Sequence, residues 1–263
     1  MKLVLLTAGY SNGRRLARAL YNAKIKFEIV TICHDLPRKK ASLKYVFKFI
    51  YAHIKSISFI RDFAFRNRVP YPIAAQYAGF CNGKRLIRIL QNKKPAYIFM
   101  MGGGILNEEV IKCASKGVLN AHPGLLPWIR GTNAIIASIL NNVAVGVTLH
   151  YIDKGIDTGP VIERYLQPIG DKNTLEEIKL ASDHLSILAM LNAALILDNG
   201  GELKGTVQSK KYPINKIIKG IHRKEVDQYL SEGLAKQLYD KWLIEKPWLI
   251  DGKTLIETTS KYL

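Results

Sequence analysis

The chain has 263 residues, 48% of them hydrophobic and 23% charged, with 39 Lys and Arg against 21 Asp and Glu. This is long enough to bury a core without disulfide or metal staples, and the balance excludes a largely disordered chain. Three cysteines, Cys33, Cys81 and Cys113, form no CxxC or metal pattern and fit a reducing compartment. The formal charge of +18 is uneven: residues 1–94 carry 20 basic and 3 acidic residues, the remainder 19 and 18. An anionic partner is the inference from that first third, whether nucleic acid, a membrane surface or a phosphorylated small molecule.

Taken in order, Lys2–Thr7 reads as a strand too short for a signal peptide and followed at once by Arg14, Arg15 and Arg18. A turn through Gly9, Ser11 and Asn12 opens a helix that runs to about Asn22, and Phe27–Ile32 is a second strand. Ala41–Phe65 reads as a long basic helix. Gly83–Asn92 is a short one, with Leu86 and Leu90 on one face. Ala96–Met101 is a buried strand, broken by Gly102-Gly103-Gly104, and Asn107 is placed to cap a helix to Ala114. Strands follow at Gly117–Asn120, Val145–Ile152 and Val161–Leu166. Thr174 and Glu177 are spaced as a capping box before a helix to Leu197. Its most apolar part, Leu185–Leu197, falls short of the roughly 20 residues that span a bilayer and reads as buried. The rhythm predicts an α/β fold: a Rossmann-like open, mostly parallel sheet with helices on both faces. Asp198-Asn199-Gly200-Gly201 is a stop, so residues 1–205 are expected to form a catalytic core and 206–263 a small, mainly helical C-terminal appendage.

The chemistry is concentrated in Asn120-Ala121-His122-Pro123-Gly124-Leu125-Leu126-Pro127, then Arg130-Gly131, Gly146-Val147-Thr148-Leu149-His150 and Asp153 to Pro160. Asn120 and His122 are two apart at a strand end, so both face one side, and strand carboxyl ends are where ligands sit in such sheets. Asp157 lies in a loop between Gly155 and Gly159. An amide donor, an imidazole and a carboxylate suit attack on a carbonyl: the amide stabilises an oxyanion, the imidazole moves a proton and the carboxylate supports the imidazole. No Cys or carboxylate stands at ligand spacing from His122 or His150, so no metal is expected. His150 reads as a residue that lines the site.

This pattern resembles the family of formyltransferases that use 10-formyltetrahydrofolate, in which Asn-x-His-Pro-Ser-Leu-Leu-Pro, Arg-Gly, Gly-Val-Thr and Asp-Thr-Gly follow in order. The match is specific over about 95–170, with 35 positions from His122 to Asp157; Gly124 departs from the common Ser. The resemblance implies that Asn120, His122 and Asp157 catalyse attack of a primary amine on the formyl carbon. It implies that Met101, Gly102, Gly103, Gly104, Ile105, Leu106, Asp153 and Gly155 hold the folate donor. Gly9, Ser11, Asn12 and Arg130 then fall to a phosphate-bearing amine acceptor. Residues 206–263 read as helical and short for the β-barrel of methionyl-tRNA formyltransferases, whereas sugar N-formyltransferases commonly add a small C-terminal piece. The expectation is therefore a cytoplasmic enzyme acting on a nucleotide-linked amino sugar. Phosphoribosylglycinamide and methionyl-tRNA formyl transfer are the alternatives. Hydrolysis of formyltetrahydrofolate is another, though a first strand at Lys2 counts against the regulatory domain such hydrolases carry. The basic stretch 38–68 is expected to face a phosphate-bearing acceptor, an anionic surface or a homodimer partner, with nucleic acid less favoured.

Overall fold

The computed structural model describes residues 2–9, 11–33, 70–172, 174–208, 212–215 and 221–263. The expected basic helix, and with it the stretch 38–68, lies outside these. The chain forms two compact units, Met1–Leu119 with Tyr262–Leu263, and Asn120–Lys261.

In the first unit, β1 (Leu3–Thr7) is apolar except at its last residue and buried throughout, as a central parallel strand must be. It pairs in parallel with β2 (Phe27–Cys33) on one side and β4 (Tyr97–Met101) on the other, while β2 also pairs with β3 (Ala75–Phe80). The order β4-β1-β2-β3 reverses direction between β1 and β4. The two glycine loops, after Thr7 and after Met101, therefore leave neighbouring strand ends at a switch point. The Thr7 hydroxyl fastens them together by donating to the Met101 carbonyl at 3.0 Å. Helix α1 (Ser11–Asn22) buries Leu16 and Leu20, one turn apart, and α2 (Lys84–Lys93) buries Leu86 and Leu90, as the spacing predicts. Asn107 caps α3 (Glu108–Ile111), its side chain accepting from the Val110 amide at 3.0 Å. That helix stops before the expected Ala114 because Cys113 and Ala114 turn back on carbonyls three residues behind.

β5 (Gly117–His122) crosses from the first unit into the second. In the second, β7 (Gly146–Tyr151) runs antiparallel to β8 (Val161–Leu166). β8 pairs in parallel with β10 (Ile250–Asp251), and β6 (Arg130–Gly131) with β9 (Ile214–Asn215). Around them lie α4 (Ala134–Leu140), α5 (Leu175–Asp198), α6 (Ile221–Ser231), α7 (Leu234–Glu245) and α8 (Gly252–Thr259). The Thr174–Glu177 capping box is present at the start of α5. With 24 residues and a mean hydropathy of 1.6 in its most apolar window, α5 is long and apolar enough to cross a membrane. Its run Leu185–Leu191, however, is buried inside the unit.

The C-terminal part is mainly helical, as expected, with two-residue strands that its sequence did not announce. Val226, Leu230, Leu238, Trp242 and Leu249 share one core with Leu125, Ile129, Ile135, Leu166 and Ile178. Residues on either side of position 205 thus hold each other up.

Candidate active site

The carboxyl end of β5 presents Asn120 and the buried His122, and a tight turn follows in which the Gly124 amide donates to the His122 carbonyl at 2.8 Å. Thr148 of β7 pins that turn: its hydroxyl donates to the Gly124 carbonyl at 2.7 Å and accepts from the Leu126 amide at 3.0 Å. This is the structural use of the Gly-Val-Thr motif. The Leu126–Pro127 peptide is cis.

His122 lies 3.0 Å through Nε2 from the Ile129 carbonyl. A carbonyl only accepts, so Nε2 carries the hydrogen and Nδ1 is the basic nitrogen. Nδ1 faces the Asp157 carboxylate, Oδ2 at 3.5 Å. Burial pushes the His122 imidazole down from its ordinary range, while Asp157 and the Ile129 bond pull it up. The result is a neutral base with a carboxylate placed to receive the imidazolium once a proton arrives.

Asp157 is held in the left-handed region, φ 51°, where non-glycine residues are uncommon. Its Oδ2 accepts from the Gly131 amide at 2.8 Å. The neighbouring Ile156 carbonyl accepts from Arg130 Nε and Nη2 at 3.2 and 2.9 Å, and Arg130 Nη1 donates to the Tyr212 carbonyl at 2.9 Å. Arg130 is buried, with three of its N–H groups on backbone carbonyls. Asp153 organises the loop's other half by accepting from the Gly155 amide at 2.9 Å and the Thr158 hydroxyl at 2.5 Å.

His150 does more than line the site. Its Nδ1 lies 2.8 Å from the Tyr151 carbonyl and so carries the hydrogen, leaving Nε2 to accept from Asn120 Nδ2 at 3.3 Å. This chain of bonds fixes which way the Asn120 amide points and leaves its second N–H without a partner among the described residues. Burial, then the neighbouring His122, pushes His150 down to about 4 against the pull of Asp157, so it is a neutral acceptor near pH 7. Asp157 Oδ1 stands 3.8 Å from the same nitrogen.

Gly124, where the motif commonly has Ser, is closely packed: a Cβ there would stand 2.8 Å from His122 Nε2 and 3.0 Å from Ile129 Cγ2. The side chain is absent where it would press on the bond that sets the His122 tautomer.

The first unit carries the remaining candidate residues. Gly102, Gly103 and Gly104 have φ of 71°, 133° and 95°, three successive positive values that L side chains rarely adopt. A Cβ on Gly103 would also meet Ile32 Cδ1 at 2.7 Å. Past them Ile105 is 65% exposed and Leu106 buried. The Asn82 amide clamps this stretch, donating to the Ile105 carbonyl at 2.9 Å and accepting from the Asn107 amide at 2.6 Å. Gly9, at φ 75°, donates its amide to Thr7 Oγ1 at 3.2 Å, and Ser11 and Asn12 begin α1.

The structure thus brings Asn120, His122, Asp157 and Arg130 together in the second unit, with Asp153 and Gly155 on the same loop. Sequence reasoning passed over Gln208, Asn82, the carbonyls of Ile129 and Tyr151, and the ordering role of His150. Backbone carbonyls leave no sequence signal, and the side chains lie far along the chain from what they hold. Among the described residues, no group of three His, Cys, Asp or Glu is placed to hold a metal ion.

A family described as formyl transferase matches residues 1–193. The chain belongs to that family. Methionyl-tRNA formyltransferase of Desulforamulus reducens is 38% identical over 103 residues, 38% of this chain and 32% of that protein. The chain thus spans about half or less of the length of the curated relatives it matches. Two solved structures share its fold. A protein of Mycobacterium tuberculosis described as a likely sugar N-formyltransferase aligns with a TM-score of 0.56 and 14% identity, covering 87% of this chain and 86% of its own. The formyltransferase PseJ of Anoxybacillus kamchatkensis, solved with UDP-4,6-dideoxy-4-formamido-L-AltNAc and tetrahydrofolate, aligns with a TM-score of 0.50 and 19% identity over 97% of both chains.

Proposed function

We propose that this formyl transferase family member moves a formyl group from 10-formyltetrahydrofolate to the primary amine of a nucleotide-linked amino sugar. The observation that carries the reaction is the His122 imidazole, with Nε2 committed to Ile129 and Nδ1 turned toward Asp157 at 3.5 Å, beside an Asn120 amide aligned by His150. The amine nitrogen attacks the formyl carbon, and the carbonyl π electrons move onto oxygen, where the second N–H of Asn120 stabilises them. The attacking nitrogen gives up a proton to His122 Nδ1, and Asp157 stabilises the imidazolium. Collapse breaks the bond from the formyl carbon to the folate nitrogen, which takes a proton, leaving the formamide and tetrahydrofolate.

In this reading the glycine-lined residues Met101–Leu106 offer exposed backbone groups to the pterin, and Asp153 and Gly155 belong to the donor's surroundings. Gly9, Ser11 and Asn12 open a helix suited to a phosphate. The sugar acceptor is supported by alignment with solved proteins whose descriptions name a sugar N-formyltransferase or a formamido sugar, over 87% and 97% of this chain.

The test is release of tetrahydrofolate by the purified chain offered 10-formyltetrahydrofolate with one of three amines, or with none. The amines are a UDP-linked 4-amino-4,6-dideoxyhexose, glycinamide ribonucleotide and methionyl-tRNA. Release that depends on the amino sugar is expected. Release only with another amine replaces the acceptor, and equal release without any amine replaces transfer by hydrolysis.

A further inference from the structure

Asp157 has a left-handed backbone, φ 51°, uncommon for a residue with a side chain, and its loop is gripped from outside. Gln208 does so from 51 residues away. Its Nε2 donates to the Asp157 carbonyl at 3.0 Å and to the Gly159 carbonyl at 2.6 Å. Both partners are acceptors, so only the amide nitrogen can face them. Gln208 is 9% exposed, and its Oε1 is buried with no partner among the described residues. An unpaired buried acceptor costs about 1–3 kcal/mol, so a glutamine here is a poor choice for packing alone; its N–H groups give it a purpose.

The residues around it act on the same loop. Thr206 exchanges backbone bonds with Val161 at 2.8 and 2.7 Å, which sets the register of Gln208. Further on, the Tyr212 carbonyl takes the Arg130 guanidinium that also grips Ile156. Ile214 and Asn215 pair with Arg130 and Gly131, and the Gly131 amide holds the Asp157 carboxylate. Each of these contacts lies within the second unit.

From this we infer that Gln208 is the positioning residue for Asp157, and that residues 206–208 and 212–215 belong to the catalytic apparatus rather than to an accessory piece. The inference rests on the proposed role of Asp157. Without the Gln208 amide the loop relaxes, the carboxylate leaves His122 Nδ1, and the imidazole loses the charge that pulls its proton affinity upward. Burial then pushes His122 down with only the Ile129 bond left to pull it up.

Two readouts separate this inference from the reaction it serves. The first is NMR titration of the His122 ring in the full-length chain without substrate, for the wild type, Asp157→Asn, Gln208→Met and Gln208→Leu. Both Gln208 variants are expected to move His122 to lower pH in the direction of Asp157→Asn, with circular dichroism confirming the fold. An unmoved titration in a folded Gln208 variant overturns the inference, as does an unmoved titration in Asp157→Asn. The second readout is kcat with the UDP-linked 4-amino-4,6-dideoxyhexose, expected to fall about tenfold or more at little change in KM. If the titration moves and kcat does not, Gln208 still positions Asp157, and it is the catalytic reading of Asp157 that fails.

Discussion

Two loops of this protein reach fixed shapes by opposite means. The Gly102–Gly104 loop of the first unit is shaped by what it lacks: three residues without side chains take positive φ, and the backbone is left bare. The Asp153–Gly159 loop of the second unit is shaped by what grips it. Arg130, Gln208 and the Gly131 amide come from elsewhere in the chain, while Asp153 and Thr158 tie the loop to itself. A bare backbone suits a ligand that brings its own flat ring. A clamped carboxylate suits a reaction in which a tenth of a nanometre changes the rate.

The comparison breaks most severely if the second unit loses its C-terminal helices. Leu230, Leu238, Trp242 and Leu249 are buried, and at about 1.5–3 kcal/mol each their removal is comparable to the ~5–15 kcal/mol stability of a whole domain. A chain ending at Gly205 is expected to lose its cooperative thermal transition, as read by circular dichroism.

Next come the reacting groups. His122→Ala, Asn120→Ala and Asp157→Asn are each expected to lower turnover about 100-fold or more, measured as tetrahydrofolate release; normal turnover in His122→Ala would remove the proposed reaction. His150→Phe keeps bulk but removes the acceptor that aligns Asn120, and kcat is expected to fall about tenfold.

The same histidine gives the second unit an acid sensitivity that the glycine loop lacks. His150 sits at about 4 in the folded protein against the ordinary imidazole value of 6.5, so between those pH values the unfolded chain binds the proton and the folded one does not. Its contribution is complete above about pH 6.5 and is lost as pH falls toward 4, a span of about 3 kcal/mol. Denaturant midpoints measured from pH 7 to 4.5 should fall, and fall less in His150→Phe. The smallest effect concerns the first loop. Gly103→Ala meets Ile32 and a φ of 133°, and is expected to raise KM for 10-formyltetrahydrofolate several-fold with little change in kcat.

Much of the fold was legible because it depends on near neighbours. Apolar runs located β1, β2 and β4, Leu86 and Leu90 located a helix face, and the Asn107 and Thr174 caps are local chemistry. β3 was missed because Ala75–Phe80 is a half-buried edge strand with Gly and Gln and no β-branched run. β9 and β10 are two residues each and exist only through their partners. At the site, Asn120, His122 and Asp157 stood out through the resemblance of the motifs around them to those of the formyltransferases. What aligns them, the Ile129 and Tyr151 carbonyls and Gln208, did not, because a bond between residues 51 apart has no period in the sequence.

The core shared by Leu125 and Leu249 also says something about how the molecule is made. Side chains that close it are separated by about 125 positions, so a chain emerging at ~5–20 residues per second waits roughly 6–25 s between exposing the first and supplying the last. Over that interval the core around Leu125, Ile129 and Ile135 has only its earlier members, such as Val145, Leu166 and Ile178, while β1, β2 and β4 of the first unit are already in hand. The Asp153–Gly159 loop, which needs Gln208 and the strand at Ile214, therefore takes its final shape only after those later residues have left the ribosome.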